Sequence, residues 1–424
     1  MNWNDRTLGE ISDEVDGVIQ TGPFGSQLHE SDYVKSGVPV VMPKNIIDGR
    51  VSTEGIACIS ERDAKRLERH LLDIGDIVYG RRGDIGRRAL IRERERGWLC
   101  GTGCLRLSLG STVLDPVYLY YYLGQTSVID WISNQAIGAT LPNLNTGILR
   151  SVPIRYPPPA VQTRIASILS SYDDLIENNT RRTKILEEMA QMIYREWFVN
   201  FCFPGHEKVE MVKSDKRHIP KGWKTCSVTD IIEVNPVTKV PKDGLKPFVS
   251  MAALSENCML VGQVEEREGN SGSKFRNGDS LFARITPCLE NGKTGFVQFL
   301  PNSESVAFGS TEFIVLRSRL VCPEYVYLMS RSDEFRELAI KSMCGATGRQ
   351  RVQERCFEKF VIAKPPSEVV SRFHNIVEPM FKLVHIMNLK NVSLRRTRDL
   401  LLPRLISGEI SVERFETETA SQIS

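Results

Sequence analysis

The stretch Gly75–Gly83, GDIVYGRRG, decides how this chain is read, because it returns in the second half as GDSLFARIT, Gly278–Thr286. Around this pair other matches fall in the same order. Pro116 and Tyr118 of DPVYLYYYL return as Pro323 and Tyr325 of CPEYVYLMS. Gly138-Ala139-Thr140 returns as Gly345-Ala346-Thr347, and Pro157-Pro158 as Pro365-Pro366. Trp3 and Leu8 have a late counterpart in Trp223 and Val228. Ordered matches across half a chain mark an internal repeat, so one supersecondary plan is written twice.

Length and composition agree with two domains. At 424 residues the chain exceeds one ordinary core of roughly 100–200 residues. Its 41% hydrophobic and 25% charged residues are those of a globular protein rather than a disordered one. No run of about 18 apolar residues is present, so no membrane helix is expected. The N-terminus, MNWNDRTLGEISDEV, has no basic start followed by an apolar stretch, and a cytoplasmic location follows. Ten cysteines and six histidines are dispersed without zinc spacing, which reads as reduced thiols and no metal site. The net charge of +3 leaves any nucleic-acid interface to local clusters.

Each half opens with short β-rich runs (VPVVM, DIVYG; LFARI, FIVLR) broken by Gly, Pro and Asn. A Tyr-rich helical segment follows, then the Gly-Ala-Thr loop, then a double proline that should open a helix. Beyond Pro159 the apolar spacing becomes helical. Ile165, Ile168, Tyr172, Leu175, Asn179, Arg182, Leu186, Met189 and Ile193 alternate spacings of three and four, and Leu169, Ile176, Ile185 and Met192 widen the stripe. Phe373, Ile376, Met380, Leu383, Met387 and Leu394 repeat it through Leu401. Two helices of roughly 40 residues, each about 60 Å long, are expected, with Pro379 and Pro403 weakening the second locally. They pack either as a pair along one seam or as core helices of their own domains. The charged stretch 201–219 reads as a connecting loop. The expected divisions are a domain at 1–157, a helix at 158–200, the loop, a domain at 220–364, a helix at 365–407 and a tail at 408–424.

Several chemistries lack their motifs. GxxxxGK[ST], GxSxG, HExxH and the kinase set do not occur. Tyr156-Pro157-Pro158-Pro159 begins with Tyr where an amino-methyltransferase needs Asp or Asn to hold the target amine, so it reads as a helix start. What remains is a set of Arg-, Asn- and Thr-bearing loops. Seven arginines lie between Arg81 and Arg96, among them Arg81, Arg82 and Arg87, with Gly80, Gly83 and Gly86 letting the backbone turn. Arg92, Arg94 and Arg96 fit a solvated hairpin equally well. Lys44 and Asn45 follow the VPVVM run, and Thr140, Asn143 and Asn145 lie in the first Gly-Ala-Thr loop. In the second half Arg284, Thr286, Asn291 and Lys293 stand where the arginine cluster stood, and Thr347, Arg349, Gln350 and Arg351 follow the second Gly-Ala-Thr. Arg suits phosphate and guanine edges, and Asn and Gln suit adenine, so these residues form the candidate DNA interface.

On GPFGSQL (22–28), VPVVMPKNI (38–46), GDIVYGRRGDIGR (75–87), GATLPNLN (138–145), the PPPAVQTRIASIL helix opening, PKGW and TGRQRV (347–352), the chain resembles the specificity subunits of type I restriction-modification systems. The resemblance covers nearly the whole chain. It implies an α+β fold with two mixed α/β target recognition domains in tandem, each followed by a long helix, the helices packed as an antiparallel coiled-coil spacer. It implies that each domain reads half of a bipartite asymmetric DNA target. Two modification subunits, which methylate adenine with S-adenosylmethionine, and ATP-dependent restriction subunits are the implied partners. The chain itself would be non-catalytic and hold no cofactor. The second domain departs from the pattern at Val240–Gly244, which lacks a PFGS-type loop. A restriction enzyme with a cryptic nuclease site and a coiled-coil protein scaffold stay open as alternatives.

Overall fold

The computed structural model describes residues 3–83, 85–135, 143–214, 217–346 and 348–412. It divides into two compact units, Met1–Leu175 with Leu394–Ser424, and Ile176–Ser393. The first unit is therefore closed by the far end of the chain.

Both units are built alike. In the first, Val18–Thr21, Cys104–Ser108, Ile77–Gly80 and Arg88–Leu90 form an antiparallel sheet in that order. A second sheet runs Leu99–Cys100, Val38–Val41, Ala57–Ile59, Tyr33–Val34, its first pair parallel. In the second unit Ile232–Val234, Phe313–Ser318, Ser280–Ala283 and Thr294–Phe296 repeat the antiparallel sheet. Val264–Arg267, Lys246–Val249, Val306–Gly309 and Ser273–Arg276 make the other sheet, again with one parallel pair. Each unit also ties an early strand to a late one, Asn4–Thr7 to Pro153–Tyr156 and Lys224–Ser227 to Val361–Lys364.

The repeated Gly-Asp explains why these sheets recur. Gly75 and Gly278 both sit at φ +87°, a left-handed turn that favours glycine. The aspartates beside them are buried. Asp76 accepts the Asp73 N–H (2.8 Å) and Arg106 Nε (2.7 Å). Asp279 accepts the Arg276 N–H (2.9 Å) and takes Arg317 through both carboxylate oxygens (2.7 Å each). Each pair braces the two central strands of its sheet. Those strands are buried on both faces: Ile77 and Tyr79 enter one core and Val78 another, as Phe282 and Leu281 do in the second unit.

The prolines open helices as expected, Pro159–Tyr194 (36 residues) and Ser367–Ile406 (40 residues). The second runs through Pro379 and Pro403 as one helix. Their pairing is antiparallel. In the second unit Asn179 Nδ2 donates to Asn391 Oδ1 (2.9 Å) and Thr183 faces Met387; in the first, Arg398 pairs with Asp173. The α+β reading with an antiparallel helix pair therefore holds.

The seam overlaps the stripe expected from the sequence only in part: Ile165, Leu169, Ile176, Phe373 and Met387 are buried as expected. The buried residues recur every seven: Gln162, Leu169, Ile176, Thr183 and Ala190 on one helix, and Val370, Val377, Val384 and Asn391 on the other. Leu175, Ile185, Met189, Met192, Ile376 and Leu383 are more than 40% exposed, and Arg182 is also outside. Large apolar residues drew the sequence reading outward by a residue. The other positions of the seam use β-branched, small and hydrogen-bonded residues, such as Val377, Val384, Ala190, Thr183 and Asn391. The stretch read as a connecting loop also folds: Met211–Ser214 pairs with Arg217–Pro220, and Phe201 and Phe203 pack on Trp223 at 5.4 Å. Among the described residues no helix is long and apolar enough to cross a membrane.

Candidate nucleic-acid interface

The residues chosen from the sequence gather where a central strand leaves its sheet. In the first unit Ile77–Gly80 runs into Arg81, whose N–H donates to Gly103 O (2.9 Å) and whose carbonyl accepts the Leu144 N–H (2.9 Å). Arg82 then bridges to Asn143, which brings the arginine loop against the segment 143–145. In the second unit Ser280–Ala283 runs into Arg284, whose N–H donates to Glu312 O (3.0 Å) and whose carbonyl accepts the Val352 N–H (2.9 Å). Ile285 bridges to Arg351. The same backbone bonds thus place the same two loops together in both units, although the loop sequences differ.

Side chains divide into presented and occupied ones. Arg82 and Lys44 are exposed in the first unit, and Arg349 is exposed in the second. Arg81 Nε reaches Leu144 O (3.4 Å), and Arg87 Nη1 reaches Pro43 O (3.3 Å), which ties the arginine loop to the Lys44 turn. Asn45 is 1% exposed and its Oδ1 accepts the Met42 N–H (3.2 Å), so it holds the turn rather than facing outward. Asn145 is likewise spent on structure, capping the helix Thr146–Arg150 at the Ile148 N–H (2.9 Å). Asn143 is partly buried, its Oδ1 enclosed without a partner among the described residues. In the second unit Thr286 Oγ1 accepts the Gln350 N–H (3.2 Å), and the Thr286 N–H returns a bond to Gln350 O (3.1 Å). Asn291 donates to Glu256 (3.1 Å) and Lys293 to Met251 O (3.4 Å). Thr140 and Thr347 lie outside the described residues.

Two acids escaped the sequence reading. Glu312 takes Arg351 through both oxygens (2.6–3.0 Å), and Glu354 takes Arg284 (3.0 Å). The Arg351 guanidinium holds the Glu312 carboxyl below the usual carboxylate range. No sequence signal marks either pairing, because the partners are far apart along the chain. Arg92, Arg94 and Arg96 lie around a 3-10 turn, Glu93–Glu95, and not in a hairpin: Arg92 pairs with Asp174 (3.2 Å), Arg96 with Asp73 (3.2 Å), and Arg94 reaches Thr53 (3.3 Å).

One grouping among the described residues has metal-ligand chemistry. Cys322, Glu324 and His374 bring their donor atoms within 4.8 Å of one another. His374 Nδ1 and Glu324 already share a hydrogen bond (2.9 Å), which satisfies the buried carboxylate and ties the second long helix to the helix Pro323–Ser330.

Comparison with known proteins falls on the same pattern. The family described as "Type I restriction modification DNA specificity domain" matches residues 2–188. The specificity subunit of the MjaIX type I restriction enzyme of Methanocaldococcus jannaschii is 26% identical, over 98% of this chain and 95% of that protein. The HindI specificity subunit of Haemophilus influenzae is 20% identical, over 96% of this chain and 100% of its own length. The fold is similar to the crystal structure of a type I restriction-modification S subunit from M. genitalium, with a TM-score of 0.57, 14% identity and 96% of each chain covered. Relatives of this description run through both repeats, so over nearly its whole length the chain is similar to the specificity subunits of type I restriction-modification systems.

Proposed function

We propose that the two units read the two halves of a bipartite, asymmetric DNA target, each through the loops that flank its central strand. The observation that carries this reading is the repeated backbone arrangement at Arg81 and Arg284, which sets different side chains on one framework. In the first unit the reading and phosphate-contacting residues are Lys44, Arg81, Arg82, Arg87 and Asn143. In the second they are Arg284, Thr286, Arg349, Gln350 and Arg351. Different side chains on like frameworks suit a target whose halves differ.

In this reading the chain supplies recognition, and catalysis belongs to partners in the cytoplasm: two methyltransferase subunits and the ATP-dependent restriction subunits. The paired helices set the length of the unread spacer. The exposed Ile185, Met189 and Met192, at spacings of four and three on one helical face, support docking of a partner there, since exposed apolar rows mark interaction surfaces.

The experiment is a replacement of recognition segments in the assembled methyltransferase, followed by sequencing of methylated sites. Exchanging 81–87 and 143–145 for those of another specificity subunit should change one half of the motif alone. A change in both halves or in neither overturns the proposal.

A further inference from the structure

Arg284 N donates to Glu312 O (3.0 Å) where, in the first unit, Arg81 N donates to Gly103 O (2.9 Å). The fold therefore asks only for a carbonyl at this place, and glycine supplies it in one unit. The glutamate side chain is an addition specific to the second unit, and the bonds it makes in the structure are to Arg351. Nε of Arg351 lies 3.0 and 2.9 Å from the two carboxylate oxygens, and Nη2 lies 2.6 Å from one of them.

The edge that is used matters. Glu312 takes the Nε/Nη2 side of the guanidinium, which leaves Nη1 and the outer N–H of Nη2 without a protein partner among the described residues. The Arg351 side chain remains 45% exposed. The carboxylate is itself fixed by its backbone: the Glu312 N–H donates to Ser310 Oγ (3.1 Å), and its carbonyl holds Arg284. Arg351 is fixed from the other side by paired backbone bonds with Cys344 (2.9 and 3.0 Å).

Resting on the proposed reading of DNA by the second unit, we infer that Glu312 is a positioning residue for base recognition. It holds Arg351 extended, with the Nη1/Nη2 end presented to O6 and N7 of a guanine in the second half-site. A free arginine must give up rotamer freedom to make that paired contact, whereas this one is already ordered. Two acceptors on one base edge match the two remaining donors, and guanine offers them in the major groove.

The test uses the complete complex with its modification subunits and a library of target sites, scored by methylation, with Glu312→Gln, Glu312→Ala, Arg351→Lys and Arg351→Ala. Arg351→Ala should cost about tenfold or more in preference for one guanine of the second half-site. Arg351→Lys, which keeps charge but cannot pair with two acceptors, should behave alike. Glu312→Ala and Glu312→Gln should relax that same position and leave the first half-site unchanged. Replacing that guanine by 7-deazaguanine, which lacks N7, should weaken the wild-type complex and leave Arg351→Ala indifferent. Equal methylation by Arg351→Lys and wild type, or an unchanged motif in folded Glu312 variants, overturns the inference. Thermal unfolding of each variant separates loss of positioning from loss of fold. Exchange of the whole second unit is the control for the underlying reading: if it leaves the second half-site unchanged, that reading fails, and if it changes it while the Glu312 variants do not, only this inference fails.

Discussion

The two units hold their basic residues differently on one framework. In the first, Arg81 and Arg87 lean on backbone carbonyls. In the second, Arg284 and Arg351 each lean on a carboxylate. The bracing ion pair differs in the same sense, single at Asp76–Arg106 and double at Asp279–Arg317. The difference teaches that the repeat conserves backbone bonds and varies the side chains those bonds carry. Loops held by their own backbone can change side chains at little cost to the fold.

The largest break in this comparison should come from the bracing pairs. Asp279→Ala leaves the Arg317 guanidinium buried without its double partner, and loss of one member of a buried pair costs about 3–5 kcal/mol. Asp76→Ala should cost less, because Arg106 makes one bond to Asp76 and keeps another to Arg69 O (3.1 Å). Urea unfolding followed by a probe in each unit would measure both; equal losses would mean that the second oxygen contributes nothing.

A smaller effect separates the units by pH. Burial raises the Glu187 carboxyl to about 7, although both its oxygens accept the Met259 N–H (3.1 Å each). A carboxyl with its folded pKa raised favours the folded state when protonated. Stability should thus be highest below the unfolded value near 4.5 and be lost as pH rises towards 7. Glu187→Gln, which cannot ionise, should gain about 3 kcal/mol at pH 8 and nothing at pH 4. Denaturation at the two pH values checks this, and a gain that is the same at both would refute the assignment.

Smaller again are the effects at the residues proposed to read DNA, which should appear in preference rather than stability. Arg82→Ala and Arg349→Ala remove exposed side chains, so unfolding should move by less than about 0.5 kcal/mol. Each should cost roughly 1–3 kcal/mol of discrimination at one position, the first in the first half-site and the second in the other. Lys44→Ala should produce the slightest change, weakening binding evenly across sequences and reducing the salt slope by about one. Binding titrations at several salt concentrations on cognate and single-mismatch duplexes distinguish these outcomes.

The sequence by itself determined the duplication, the strands around Gly75-Asp76 and Gly278-Asp279, and the two proline-opened helices. These are signals carried by neighbours in the chain: a glycine that must turn, alternation with period two, apolar residues at helical spacing. It also carried the resemblance to the specificity subunits, because the motifs occur together along one chain. Tertiary structure decided the rest. Which helix face became the seam depended on the surface that faced it, so Val377 and Val384 are buried while Ile376 and Leu383 are exposed. Which polar residues stayed available depended on partners brought from elsewhere: Asn45 was enclosed and Arg284 met Glu354. Arg351 met Glu312 across 39 residues of chain. An ion pair of that kind leaves no spacing in the sequence, since its energy depends on distance in space and the chain reaches that distance only by folding.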